Sequence, residues 1–205
     1  DRSSAASDVY KRQALEICDG KKVILKEGRH GAGLDRNDVD AFNRIHNEYN
    51  YLNILRDIEG IVNPIEVFDE WESAFLVEEF VDGIPLTDWL TNNYPFVANA
   101  DENEEFVKNI IEICNKLKSI IYSVHSKGVG FGDLQPSNVL LKRDSSIVLI
   151  DLEAARALNC KGIVSIGTPG FLDTSVKNIE ESDYISLISI ILYCFLPIGS
   201  VNAIE

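Results

Sequence analysis

Three polar side chains in the second half of the chain have the types and spacing that phosphoryl transfer from a nucleotide requires. Asn138 follows Asp133 by five residues, and Asp151 follows Asn138 by thirteen, at the end of an apolar stretch. Carboxylate and amide oxygens hold Mg²⁺, and a further carboxylate can orient an attacking hydroxyl. An Asp and an Asn alone would be weak evidence, but the second Asp after a predicted hairpin makes the pattern more specific.

A cation and a further carboxylate lie upstream of these residues. Lys26 ends the apolar run 23–25, where a cation can reach phosphates across a cleft. Glu48 lies on a predicted helix, beside its apolar stripe instead of on the wet face, so it needs a cation as its partner. Taken singly, Lys26 and Glu48 also fit ordinary solvated positions. Their order before the Asp and Asn residues favours a shared chemical role.

The elements that position these residues are strands with one helix first, then mainly helices. A hairpin is predicted from residues 14–18 and 23–26, joined by Asp19-Gly20. The other predicted elements are a helix over 38–58 capped by Asn37, strands over 61–68 and 74–80 with Pro64 at an edge or bulge, a short helix over 85–92, a long helix with an apolar stripe over 106–124, a hairpin over 139–141 and 147–150, and a helix beginning near Asp183. This segregation indicates an α+β fold with two lobes.

The charge of the chain is concentrated in one stretch. The 205 residues include 33 acids and 19 bases, and the formal net charge is −14. Residues 57–105 hold 14 of the acids and no Lys or Arg. Without a basic surplus the chain is a poor candidate for binding nucleic acid or an anionic membrane. We therefore expect neither as a partner.

The cysteines and apolar runs indicate a cytoplasmic protein. The four cysteines lie far apart, with no CxxC pair, which predicts free thiols in a reducing compartment. No signal peptide is visible. The longest apolar run, residues 185–196, is too short to span a bilayer and predicts a buried helix.

Four segments, together with the order of polar residues above, carry a family resemblance. These segments are FDEWESAFLVEEFVDG (68–83), FGDLQPSNVLL (131–141), IDLEAA (150–155) and GTPGF (167–171). They resemble the protein-kinase fold and, within it, the kinase domain of class III/IV lanthipeptide synthetases. The resemblance covers about residues 14–205 and implies a two-lobed kinase fold, ATP and Mg²⁺ as cofactors, and Ser/Thr hydroxyls of a ribosomal precursor peptide as substrate.

The resemblance also implies a role for each residue of the pattern. Lys26 would bind the α/β-phosphates, and Glu48 would fix it. Asp133 would orient the substrate hydroxyl, and Asn138 and Asp151 would hold Mg²⁺. The remaining implied roles are an adenine-binding hinge at Glu78, Glu79 and Phe80, a peptide-binding loop at Gly167, Thr168, Pro169, Gly170 and Phe171, and a brace of the catalytic loop by Asp183 at the start of the last helix.

The chain departs from the usual kinase pattern at several positions. Gly132 stands where most protein kinases have Arg, which makes control by loop phosphorylation less expected, and Gln135 stands where Ser/Thr kinases usually have Lys. Leu152-Glu153 replaces Phe-Gly, and Glu153 adds a carboxylate of open role beside the metal site. No Gly-rich phosphate loop precedes Lys26. We therefore expect an irregular tail over 1–13, an N-lobe lacking that loop over 14–80, a truncated, mainly helical C-lobe over 81–205, and no activity from this piece alone.

Three interpretations of function stay open. In the leading one, the chain phosphorylates a Ser/Thr/Cys-rich precursor peptide, and lyase and cyclase domains of the same parent chain complete the lanthionine ring. The alternatives are another Ser/Thr protein kinase or a small-molecule phosphotransferase, and a non-catalytic pseudokinase module. The acidic stretch 57–105 is either a solvated outer face or a surface that steers a basic part of the leader peptide.

Overall fold

A computed structural model describes residues 10–15, 20–35, 37–95, 100–160, 176 and 178–197. Strands dominate its first part and helices its second, so the predicted α+β class with two lobes is confirmed. None of the described helices is long and apolar enough to cross a membrane. Cys114, Cys160 and Cys194 are free thiols, as predicted, whereas Cys18 lies outside the described residues.

The first sheet has four antiparallel strands in the order β1-β2-β4-β3. These strands are β1 (Tyr10–Leu15), β2 (Lys22–Arg29), β3 (Pro64–Glu70) and β4 (Ser73–Glu79). The predicted strands over 61–68 and 74–80 are confirmed with small shifts, and a bulge lies at Pro64 on the edge strand as expected. The fold places both β1 and β3 at edges of the sheet.

The prediction of an irregular tail over residues 1–13 is wrong for residues 10–13. These residues belong to β1, which pairs with β2 from Tyr10 opposite Glu27 to Leu15 opposite Lys22. Backbone pairing with the long strand β2 fixes them in the sheet. The sequence of β1, YKRQAL, has no regular alternation of apolar and polar residues, and this is why the sequence pattern did not extend the predicted hairpin back to residue 10.

Helix α1 (Ala41–Ile54) packs against the first sheet and is shorter than the predicted helix over 38–58. Its N-cap is Asp40, not Asn37, because the Asp40 side chain accepts a hydrogen bond from the backbone N–H of Asn43. The start of the helix lies very close to β2. A Cβ at Gly28 would be 2.3 Å from the carbonyl oxygen of Ala41, so this contact requires glycine.

The second part of the chain contains three helices and two small sheets. Its helices are α2 (Leu86–Asn93), α3 (Ala100–Ser126) and α4 (Ile179–Phe195). Its strands are β5 (Gly83–Pro85), β6 (Val129–Gly130), β7 (Val139–Lys142), β8 (Ile147–Leu149) and β9 (Arg156–Ala157). The first small sheet has the order β5-β7-β8, and the second pairs β6 with β9. The predicted hairpin of β7 and β8 is therefore confirmed.

Helix α4 begins four residues before the predicted start at Asp183. Asn178 caps it by accepting a hydrogen bond from the backbone N–H of Glu180 at 3.0 Å. Asp183 consequently lies in the second turn of the helix, where it is fully buried. The sequence pattern put the start too late because it followed the long apolar run, whereas the polar first turn belongs to the same helix.

The predicted apolar stripe of α3 lies in the core. Its members Phe106, Ile110, Ile113, Leu117, Ile120 and Val124 are all buried. Burial of one such side chain stabilises a fold by about 1.5–3 kcal/mol. The same continuous core includes Leu52 of α1 and Leu149 of β8, so it runs from the first sheet into the helical part. The two parts therefore share one continuous core.

Candidate active site

Lys26 lies at the centre of a buried cluster with three carboxylates. Its Nζ is 2.5 Å from Oε1 of Glu48, 3.1 Å from Oε1 of Glu78 and 3.4 Å from Oδ1 of Asp151. Lys26 and Glu48 are 2% and 1% exposed. The structure therefore brings together Lys26, Glu48 and Asp151, three of the residues predicted from sequence spacing.

Local structure explains why these side chains converge. Lys26 lies opposite Leu76 in the pairing of β2 with β4, where the sheet packs against α1. Glu48 lies on the buried face of α1 together with Ile45 and Leu52. Asp151 follows β8 in a left-handed backbone conformation with φ of 70°, which is unusual for a non-glycine residue. The strand, the helix and the turn thus each supply one member of the cluster.

Burial and excess negative charge set the pKa values in this cluster. Burial opposes the charge of Lys26, but Glu48, Glu78 and Asp151 outweigh it and raise the pKa of Lys26 well above its usual value. Burial raises the pKa of Glu48 to about 8, and Glu78 and Asp151 add to the effect while Lys26 opposes it. Glu48 Oε2 is buried without a hydrogen-bond partner in the described structure. The cluster therefore favours additional positive charge.

A pocket of about 400 Å³ opens beside the cluster. Lys26, Glu78 and Asp151 form its charged end. Its apolar wall consists of Ile24, Val62, Val81, Pro85, Leu140 and Ile150. A mostly apolar pocket with a few convergent polar groups is the usual form of a small-molecule site. The apolar lining and the charged end suit a ligand with an apolar ring next to a charged group.

Glu78, Glu79 and Phe80 all line this pocket, but they contribute in different ways. The Glu78 side chain points inward and is buried on Lys26. The backbone N–H of Glu79 donates to the carbonyl of Asn63 at 3.0 Å, and the Glu79 carboxylate accepts from the Asn63 amide. A hinge function through the backbone of these residues stays a prediction.

Asp133 and Asn138 lie together on a second part of the site. The Asn138 Nδ2 donates to the backbone carbonyl of Asp133 at 3.0 Å, and Gln135 Nε2 donates to Oδ2 of Asp133 at 2.9 Å. The backbone carbonyl of Asn138 accepts from the N–H of Ile150, the residue before Asp151. This hydrogen bond ties the 133–138 loop to the strand that delivers Asp151.

Asp183 holds the start of the same loop. Its carboxylate accepts hydrogen bonds from the backbone N–H groups of Phe131 at 2.7 Å and Gly132 at 2.8 Å. His125 Nε2 lies 2.8 Å from the same carboxylate. The loop residues immediately before Asp133 are thus fixed by a fully buried side chain. This geometry supports the predicted bracing function of Asp183.

Asn138 and Asp151 carry the amide and carboxylate oxygens that Mg²⁺ prefers. Within the described residues, no group of three His, Cys, Asp or Glu side chains forms a metal cage. Mg²⁺ usually takes only one or two protein oxygens and fills its remaining positions with phosphate and water. Only the amide oxygen of Asn138 could bind a cation, because its Nδ2 is a hydrogen-bond donor and is directed at the carbonyl of Asp133. Asp151 supplies a carboxylate at the pocket.

One set of residues predicted to belong to the site cannot be compared with the structure. The predicted peptide loop, Gly167, Thr168, Pro169, Gly170 and Phe171, lies outside the described residues.

The sequence interpretation missed the contact of the Glu78 side chain with Lys26. Alternation along β4 carried that signal, because Ala74, Leu76 and Glu78 lie on one face of the strand and all are buried. A buried ion pair between Arg44 and Glu153 was also missed.

A strand lysine paired with a helix glutamate, a pocket ending at an aspartate and a D-x-x-x-x-N loop together define a protein-kinase-like phosphotransferase site. Comparison with known proteins agrees. The family model described as protein kinase domain matches residues 5–186. The chain belongs to this family. The match also includes part of the segment that the sequence pattern assigned to a tail.

Similar proteins include one synthase and several kinases. The chain is 31% identical over 193 residues to a probable SapB synthase of Streptomyces coelicolor, a match that covers 91% of this chain and 20% of that protein. It is 24% identical over 174 residues to the serine/threonine-protein kinase cds1 of Schizosaccharomyces pombe, covering 82% of this chain and 34% of the kinase. It is 32% identical over 109 residues to a probable serine/threonine-protein kinase PknB of Lactococcus lactis, covering 53% of this chain and 16% of the kinase.

The chain spans about a fifth of the length of the synthase and a third of the length of cds1. The resemblance stated from the sequence, to a protein kinase domain of the lanthipeptide-synthetase type, is confirmed by the family match and the similarity to the synthase.

Proposed function

We propose that this chain is a kinase domain that transfers phosphate from ATP to Ser and Thr hydroxyls of a ribosomal precursor peptide. The observation that carries the proposal is the buried Lys26–Glu48 pair with Asp151 at the charged end of one pocket. A buried ion pair is costly to form and seldom serves stability alone. In this pocket it holds a cation where the phosphates of a nucleotide would lie.

Each residue has a defined task in this proposal. The apolar pocket wall holds the base, and Lys26 neutralises phosphate charge while Glu48 fixes its position. Bound Mg²⁺ would stabilise charge on the phosphates, with Asn138 and Asp151 as its protein ligands. Asp133 orients the peptide hydroxyl and accepts its proton, and Gln135 holds the Asp133 carboxylate in place.

The peptide substrate is inferred from the similarity to the probable SapB synthase over 91% of this chain. In a lanthipeptide synthetase the phosphate is a leaving group. A lyase domain removes the Cα proton, phosphate departs, and a dehydroamino acid results, to which a cysteine thiol then adds in a cyclase domain. These two domains are the proposed partners within a longer parent chain, and only the phosphorylation belongs to the residues described above. We place the protein in the cytoplasm.

A second candidate rests on the similarity to cds1 and PknB, which are named as serine/threonine-protein kinases. In that case the product would be a stable phosphoprotein and no elimination would follow. The two candidates share the site and differ in the fate of the phosphate.

The test uses the full-length parent protein with ATP, Mg²⁺ and the precursor peptide encoded beside it. We expect mass spectrometry to detect phosphorylated peptide or peptide that has lost water. Asp133→Asn should lower the rate by about 10²–10⁴-fold, the usual contribution of a catalytic base. The control is Asp88→Asn, an exposed acid on α2. If the peptide shows no gain of phosphate and no loss of water, the precursor peptide is ruled out as the substrate. Normal activity of Asp133→Asn would rule out the catalytic role of Asp133.

A further inference from the structure

A second ion pair lies next to the active-site cluster, between α1 and the segment that follows Asp151. Nε of Arg44 donates to Oε1 of Glu153 at 2.7 Å. The two side chains are 4% and 11% exposed, so the pair is almost fully removed from water. The same guanidinium donates through Nη1 to the backbone carbonyls of Gly33 and Val39, in the loop that leads into α1. Arg44 therefore joins three parts of the chain.

The Arg44–Glu153 pair lies on the same face of α1 as Glu48. Arg44 precedes Glu48 by four residues, so the two side chains lie one turn apart on the same face of α1. Glu48 also contacts the segment after Asp151, because its Oε1 accepts from the backbone N–H of Leu152 at 2.9 Å. Helix α1 is therefore attached to adjacent residues 152 and 153 at two points. Two attachments one turn apart fix both the position of a helix along its axis and its rotation about that axis.

The segment attached to α1 also packs tightly on the loop that carries Asp133. Gly132 has φ of +89°, and a Cβ there would be 2.4 Å from the carbonyl oxygen of Ala154. Only glycine permits this approach. A shift of the 151–154 segment would therefore disturb the cluster around Lys26 and the 133–138 loop together.

We infer that Arg44 and Glu153 are positioning residues that hold α1 so that Glu48 faces Lys26 and Asp151. A buried ion pair is weak evidence for stability, because desolvation offsets the attraction. Its clearest use is to select one arrangement of two elements. Glu153 is thereby assigned a structural partner and not a metal, although it lies two residues after the proposed ligand Asp151. The inference rests on the proposed phosphoryl transfer.

The experiment is a double-mutant cycle in the full-length parent protein. The variants are Arg44→Gln, Glu153→Gln and both together, and the control is Arg29→Gln, which alters an exposed Arg–Glu pair of the same chemistry. We measure kcat and KM for ATP, the Mg²⁺ concentration for half-maximal rate, and the Kd of Mg-ATP without peptide. Each single variant should lower kcat by about tenfold to a hundredfold, as expected for a misplacement near 1 Å.

The pattern across the cycle decides the assignment. We expect the double variant to equal the single variants, because either change removes the same contact. The Mg²⁺ requirement should be unchanged, and Arg44→Glu combined with Glu153→Arg should recover part of the lost rate. Additive losses, or a raised Mg²⁺ requirement in Glu153→Gln alone, would overturn the inference in favour of a metal-binding Glu153. Wild-type behaviour of all variants would also overturn it.

Two further measurements keep the result independent of folding and of the substrate. Arg44→Lys retains a buried cation but has one nitrogen in place of the separate Nε donor to Glu153 and Nη1 donor to the loop carbonyls, so it should fold and still show a reduced kcat. Thermal unfolding of each variant checks this. If the precursor peptide proves not to be the substrate, coupling in the Kd of Mg-ATP still tests the pair, since additive effects on that Kd would overturn the inference.

Discussion

The molecule has two acidic regions that differ in burial and in the number of charges. The stretch 57–105 carries 14 acids and no base. Most of its acids with described burial are solvent-exposed, among them Glu66, Glu70 and Glu72. The cluster at Lys26 has only three carboxylates, all within 3.4 Å of one cation and buried or nearly so. Solvent screens the first set of charges, whereas the second set acts at short range in a low dielectric.

The comparison teaches that burial, and not the number of charges, locates chemistry in this chain. One residue belongs to both regions. Glu78 is part of the acidic stretch, yet its side chain is 2% exposed and contacts Lys26. The neighbouring Glu79 is only half-buried and binds Asn63 instead. A strand places consecutive side chains on opposite faces, so adjacent glutamates fall into the two different environments.

The largest effect should come from removing a carboxylate of the buried cluster that faces the proposed metal. Asp151→Asn should lower the phosphorylation rate of the full-length parent by about 10³-fold, because charge stabilisation at the phosphate is commonly the largest catalytic contribution. Glu70→Gln, which neutralises an exposed acid on β3, should leave the rate unchanged. Initial rates at saturating ATP and Mg²⁺ measure both variants.

Equal rates for Asp151→Asn and Glu70→Gln would show that burial does not separate the acids that act in catalysis from those that do not. If excess Mn²⁺ restores the activity lost in Asp151→Asn, the distinction between the two regions becomes more specific, because such rescue connects the defect to a metal ligand.

A second effect concerns pH and stability. Burial raises the pKa of Glu48 above its ordinary value in the folded protein, although Lys26 opposes the shift, so Glu48 takes up a proton at a higher pH in the folded state than in the unfolded chain. The free energy of unfolding should therefore fall as pH rises from about 5 to about 8, by at most about 1.4 kcal/mol per pH unit. Glu48→Gln cannot titrate and should lose this decline. Urea unfolding at several pH values measures it, and identical slopes for both proteins would contradict the assignment.

Much of the fold and of the site could be predicted from the sequence, for identifiable reasons. The α3 stripe and the β7–β8 hairpin follow from apolar periodicity, which burial against one core dictates. The pairing of Lys26 with Glu48 was predicted from a cation after an apolar run and an acid beside an apolar stripe, although β2 continues beyond Lys26 to Arg29. Residues 10–13 of β1 were missed, whereas residues 14 and 15 fell within the predicted hairpin, because backbone pairing rather than side-chain alternation holds 10–13 in the sheet. The contact of Arg44 with Glu153 spans 109 residues, and no local pattern encodes such a distance.

A third effect tests the residue that the two regions share. Glu78→Gln keeps the shape of the side chain and an acceptor for Lys26 but removes one negative charge beside the phosphates. We expect the affinity for Mg-ATP to rise about threefold to tenfold, as for about 1 kcal/mol of lost repulsion. Isothermal calorimetry measures the Kd, and Glu66→Gln on the neighbouring strand is the matched control. A weaker affinity would mean that the Glu78 carboxylate contacts the nucleotide favourably.

The smallest effect should come from the exposed acids themselves. Charges in water act over about 10 Å at moderate ionic strength, so they can speed the encounter with a basic segment of the leader peptide without altering the reaction. Replacing Glu66, Glu70 and Glu72 together by Gln should raise KM for the peptide about twofold at low salt, with kcat unchanged. The difference should vanish at high salt. Peptide affinity that is independent of salt in the wild-type protein would leave these acids as a solvated face, because steering by charge always weakens when counterions screen it.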